Sequence, residues 1–191
     1  MSERIVGIDF SLTCTGVGEI VRQPGAAPVA SAATFGSSGN RADTLPDRHE
    51  RLTDLANRVV EHCAGARLAV VELPTTGARG ASPIDRHHAW WLIVGGLVRR
   101  EVPVATVAST SLKLAIAGSG RADKAALAIA VERLWPGLDV SSSDVSDAVG
   151  MAHLGAVRLG WDVPTLERHH QVKAVWPELP DPCADGSALV S

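Results

Sequence analysis

The segment Arg4–Phe10, RIVGIDF, constrains this chain more than any other, because it is apolar on both faces of a strand and then presents a carboxylate, Asp9. A strand buried on both sides must lie inside a sheet that is covered on both sides. CTGVGEIV and PVASAATF follow as two further short strands joined by tight turns, which predicts an antiparallel meander. After the polar loop GSSGNRADT, apolar residues recur at helical spacing at Leu52, Leu55, Ala56, Val59 and Val60, predicting a helix over Leu45–Cys63. ARLAVVEL is a buried strand that ends on a second carboxylate, Glu72.

The pattern then alternates. A helix runs from about Asp85 to Arg100 and VPVATV is a strand, followed by a short helix over Ser109–Ala115 and a GSG turn. Leu127, Ala130, Val131 and Leu134 form the stripe of the next helix, which WPG breaks. A last helix after SSS buries Val145, Ala148, Val149, Ala152 and Ala156 and ends near Gly160. Three strands followed by helix–strand alternation predict an α/β fold: a mixed five-stranded sheet, antiparallel meander plus parallel strands, flanked by helices.

A length of 191 residues, 46% of them hydrophobic, suits one domain, expected over residues 1–160, with a Pro-rich extension of unknown role over 161–191. No apolar run is long enough to span a membrane, and MSERIVGID leaves no secretory segment, so the expectation is a cytoplasmic protein without a membrane partner. Cys14, Cys63 and Cys183 are odd in number and widely spaced, which fits reduced packing thiols. The net charge of −3 does not argue against nucleic acid: leaving Asp9, Glu72, Asp144 and Asp147 out of the count makes it +1.

Those four acids are the candidate chemistry. Asp9 and Glu72 each close an apolar strand, where an unpartnered carboxylate is costly. Asp144 and Asp147, three apart on the last helix, fall on one side. Like charges held together call for a cation, and oxygen ligands that leave room for water and phosphate favour magnesium. Each acid also has a plain reading: Asp144 and Asp147 as first-turn residues that cap a helix and complement its dipole, Asp9 as a turn residue, Glu72 as a solvated strand end. Trp90, Val94, Leu97 and Val98 share helical spacing, which favours Trp90 as core or dimer contact over base stacking. Gly95 and Gly96 permit close helix approach, within one subunit or between two. His87, His88 and His153 have no ligand spacing toward these acids.

The ordered set GIDFSLTCTGVGEI, LAVVELP, GSGRADKAALAIAVERL and SDVSDAVGMAHLG, from about Arg4 to Arg158, resembles the RuvC family of Holliday junction resolvases, of the RNase H-like nuclease superfamily. That resemblance implies an RNase H-like fold and a homodimer that cuts a four-way DNA junction by paired symmetric nicks. It implies Asp9, Glu72, Asp144 and Asp147 as catalytic metal ligands, with two Mg2+ per active site (Mn2+ substituting) in a two-metal phosphodiester hydrolysis. Lys113 and Lys124 stand where the family carries basic residues, and Lys124 opens a helix whose N-terminal N–H groups favour phosphate. Arg121, Arg79 and Arg86 are further expected DNA contacts. The family commonly has an aromatic just after its strand-end glutamate, whereas Leu73, Pro74, Thr75 and Thr76 stand here, so no junction-wedging side chain carries over. The alternatives are an RNase H-like nuclease acting on RNA or an RNA–DNA hybrid, and a junction-binding protein that does not cut. A phosphotransferase of the actin and sugar-kinase type fits less well, because no second copy of the strand–hairpin pattern is present.

Overall fold

The computed structural model describes residues 2–74, 83–139, 142–164 and 172–179. Its elements are β1 (Glu3–Asp9), β2 (Thr15–Arg22), β3 (Val29–Phe35), α1 (Leu45–His62), β4 (Leu68–Glu72), α2 (Pro83–Arg99), β5 (Val104–Val107), α3 (Ser109–Ala117), α4 (Lys124–Leu134), α5 (Ser143–Arg158) and β6 (Ala174–Val175). The sheet order is β3-β2-β1-β4-β5-β6. β1 pairs antiparallel with β2 and parallel with β4, so the fully apolar strand lies inside the sheet, as its sequence requires.

Side chains alternate across a strand, and that period decides where the acids point. Ile5 belongs to the core beneath α3, α4 and α5, whereas Val6 and Ile8 belong to the core beneath α1 and α2. Gly7 and Asp9 therefore share the α5 side with Ile5. By the same alternation Leu68 and Val70 face α5, and Glu72 follows them. Because Ile8 pairs with Val71, the two strand-end carboxylates leave the sheet side by side on one face.

α5 lies directly on this face, backbone against backbone. A Cβ on Gly7 would stand 2.0 Å from the Ala148 carbonyl oxygen, and one on Gly16 would stand 2.1 Å from that of Asp144. Only glycine admits such an approach. On the other side, α1 begins with a capping box in which the Thr44 side chain accepts from the Asp47 N–H and Asp47 returns a bond from the Thr44 N–H, with Pro46 in the first turn.

One sequence expectation is corrected. The sheet has six strands, not five: Thr106 pairs with Val175 and Val107 with Ala174 in an antiparallel β6. Two residues have no readable periodicity; the packing of this segment supplies what propensity lacks, since Trp161 and Val163 are buried and Trp176 and Leu179 pack against the same core. The buried stripe of α2 is carried by Ala89, Trp90, Ile93 and Leu97, and Val98 is exposed. Among the described residues, no helix is long and apolar enough to cross a membrane. Gly7→Ala is expected to destabilise the domain by on the order of 3 kcal/mol or more, because backbone atoms would have to move. Urea unfolding of the variant beside the unsubstituted protein measures this.

Candidate active site

The four acids that stand out in the sequence are brought together. Asp9 hydrogen-bonds with Glu72 and feels the charges of Asp147 and Asp144. Burial, reinforced first by the Glu72 charge and then by the other acids, pushes the Asp9 carboxyl up to about 9. Asp147 rises to about 6, mainly through burial and then through Glu72, while Lys113 and Lys124 act in the opposite direction. One cause thus runs through the cluster: carboxylates of like charge share a poorly solvated place.

The capping reading of the α5 acids does not hold, although Asp144 does stand in the first turn, where it complements the helix dipole. The N-cap of α5 is Ser142, whose hydroxyl accepts from the Val145 N–H at 3.2 Å, so neither Asp144 nor Asp147 is needed to cap the helix. Glu72 is half-buried, and its backbone carbonyl accepts a 2.9 Å bond from the Trp90 indole Nε1. Trp90 is accordingly core, and it ties α2 to the end of β4.

Of the basic candidates, Lys113 on α3 and Lys124 at the start of α4 reach the electrostatic neighbourhood of Asp147. Lys124 follows the N-cap Asp123, which accepts from the Ala126 N–H. Arg121 is exposed in the turn between α3 and α4, and Arg86 is half-buried in the first turn of α2. Arg79 lies outside the described residues.

Two neighbours escaped the sequence reading. Ser143 accepts a 2.9 Å bond from Lys124 Nζ and donates at 3.3 Å to Asp144, linking base to acid across α4 and α5. Its signal was only that it directly precedes Asp144. The Cys14 thiol hydrogen-bonds with Asp144, and burial first, then that bond, raises it above the ordinary thiol range.

Among the described residues, no three His, Cys, Asp or Glu side chains close around a single point, so the acids form an open constellation rather than a cage. The donors offered are carboxylate oxygens, and buried carboxylates that suppress one another's ionisation are short of positive charge. A hard divalent cation that keeps part of its water shell fits such a set.

Fold and site together define an RNase H-like nuclease domain: a mixed sheet flanked by helices, with clustered acids at the ends of β1 and β4 and on α5. The family model for crossover junction endodeoxyribonuclease RuvC matches residues 5–154. The chain belongs to the RuvC family. It is 33% identical over 149 residues to the crossover junction endodeoxyribonuclease RuvC of Cupriavidus necator, an alignment covering 78% of this chain and 81% of the relative. With that of Paracidovorax citrulli it is 30% identical over 173 residues, 87% and 94% of the two chains. The fold matches Thermus thermophilus RuvC with a TM-score of 0.65 at 22% identity, covering 85% of this chain and 99% of that one. A structure of T. thermophilus RuvC in complex with Holliday junction substrate matches with a TM-score of 0.64.

A pH dependence follows from Asp9. A carboxyl whose folded pKa lies above its unfolded value binds its proton more tightly when folded, so metal-free stability is greatest below about pH 4 for this group and is lost as pH rises toward about 9. Asp9→Asn removes the conflict. Without divalent metal at pH 8, it is expected to gain on the order of 2 kcal/mol, about 4–8 °C in Tm, and scanning calorimetry from pH 5 to 9 should show the gain growing with pH.

Proposed function

We propose that this protein is a magnesium-dependent endonuclease that resolves four-way DNA junctions as a homodimer, with Asp9, Glu72, Asp144 and Asp147 as its metal-binding catalytic set. The observation that carries this is the convergence of these four acids beside two lysines, in a chain of the RuvC family. Two Mg2+ per site, replaceable by Mn2+, suit the oxygen donors. When bound, they supply activation of water at neutral pH and charge stabilisation at the phosphate.

The chain's own groups do the rest. The acids fix where cations and strand meet, since Asp9 and Glu72 sit on the rigid sheet and Asp144 and Asp147 on the helix pressed against it. Lys113 and Lys124 offset charge that builds on the phosphate oxygens. Ser143 holds the Lys124 ammonium beside Asp144, where it faces an incoming strand instead of ranging through solvent. Arg121 and Arg86 extend the basic surface available to DNA, and Arg79 is a further DNA contact proposed from the sequence. The unpaired thiols Cys14 and Cys63 suit a reducing, cytoplasmic setting.

The homodimer reading rests on α2. Ile84, Trp91 and Val98 are 78%, 64% and 60% exposed and recur every seven residues, forming one apolar stripe on the outer face. Gly95 also faces outward, with only Arg99 close to where its Cβ would be, whereas a Cβ on Gly96 would meet Val60 of α1 at 2.6 Å. The two adjacent glycines thus do separate jobs. A two-fold axis through this stripe would pair the same surface with itself and present two active sites to a two-fold symmetric junction.

Incubation with labelled four-way junction, linear duplex and RNA–DNA hybrid, with and without magnesium, tests the activity. Paired symmetric nicking of the junction alone is expected, dependent on magnesium and reduced at least about 1,000-fold in Asp144→Asn. Binding without cleavage would make the protein architectural, and cleavage of the hybrid would move the substrate to RNA. Trp91→Glu is expected to convert the dimer to monomer in sedimentation equilibrium, while the metal-dependent rise in Tm persists.

A further inference from the structure

A cavity of about 530 Å3 opens between the β1–β2 turn, the loop entering α1 and the first turns of α1 and α2. Three guanidinium groups, Arg41, Arg48 and Arg51, face it, against two carboxylates, Asp43 and Asp85. Arg48 is already used: its Nη2 lies 2.6 and 2.7 Å from the two Asp85 oxygens, and its Nε donates at 3.2 Å. Arg51 is not saturated. Its Nη1 donates to the Ser37 hydroxyl at 3.2 Å, while its buried Nε has no hydrogen-bond acceptor and only a loose 3.6 Å ion pair with the Asp43 carboxylate. Gly39 covers this guanidinium so closely that a Cβ there would stand 2.9 Å from Cζ. Arg41 is exposed and has no ion pair among the described residues.

A buried N–H without an acceptor is costly, and a guanidinium offers several donors in a planar fork that matches an oxyanion. The excess of one positive charge and the Thr13 side chain beside it suit the same ligand. The location says whose oxyanion it is. Leu12 and Thr13 line the cavity from one side of the β1–β2 turn, and Cys14, the next residue, touches Asp144 on the other. The larger groove along β3, about 860 Å3, also reaches Cys14 but has no Arg or Lys in its lining, so it offers a phosphate nothing.

We propose that the Arg41–Arg51 cavity seats a backbone phosphate of the bound DNA strand, adjacent to the phosphate held over the acid cluster. This assignment rests on the DNA-cleavage reading above. The cavity holds the strand in register on one side of the β1–β2 turn while the acids act on the other. Arg51 and Arg41 donate to the phosphate; Arg48, locked to Asp85, fixes α1 against α2.

The test measures junction affinity against salt in the full chain, carrying Asp144→Asn so that DNA is not cut, with Arg41→Ala and Arg51→Gln added singly. Each is expected to weaken binding about 3- to 10-fold and to lower the slope of log Kd against log salt by about one, the signature of one lost phosphate contact. A purely structural arginine would lower Tm and leave the slope alone. Unchanged affinity and slope in both variants overturn the proposal, whereas absence of junction binding before either is introduced overturns the functional reading beneath it. Should Arg51→Gln fail to fold by circular dichroism, Arg41→Ala, a change at an exposed side chain, decides alone. Millimolar inorganic phosphate supplies the last arm. If it raises the Tm of the unsubstituted protein but not of Arg51→Gln, and neither variant alters junction binding, the cavity takes a free anion and the DNA assignment falls.

Discussion

Everything at the candidate site depends on α5 meeting the sheet without intervening side chains. Gly7 and Gly16 leave the carbonyls of Ala148 and Asp144 where Cβ atoms would otherwise be. The first turn of α5 is thereby brought down to the strand ends, and Asp144 and Asp147 come within electrostatic range of Asp9. A helix packed on ordinary side chains sits about 10 Å from a sheet, too far for short aspartates to share ions with strand-end carboxylates. The geometry of the acid cluster is set by what the sheet lacks.

That geometry works against stability. Asp9 is pushed up to about 9 because burial and three neighbouring acids oppose its ionisation, and among the described residues no basic side chain pairs with it directly. Lys113 and Lys124 relieve Asp147 only in part. A domain selected for folding alone would place an apolar residue or an ion pair there. The rest of the molecule is conventional by comparison, with two apolar cores, one on each face of the sheet, and a capped first helix.

Most of this was legible in sequence, for identifiable reasons. Strands buried on both faces and amphipathic helices have strong periodic signals, and a carboxylate ending an apolar run is conspicuous. Pairwise detail left no such trace. The Trp90 bond to the Glu72 carbonyl and the bridge from Lys124 through Ser143 to Asp144 join residues remote in sequence, and no periodicity encodes them. Gly95 and Gly96 could not be assigned to inside or outside until the rotation of α2 was known. β6 was missed because a two-residue strand is defined by its neighbours, not by its own residues.

α2 has two faces with different duties. Inward, Trp90 grips the carbonyl of Glu72; outward, one residue later, Trp91 stands in the exposed apolar stripe between Ile84 and Val98. In the proposed dimer, the path from one set of acids to the other would run through adjacent indoles on a single rigid rod. The gap between paired nicks would then be gauged by protein rather than by the junction, like the fixed jaws of a calliper.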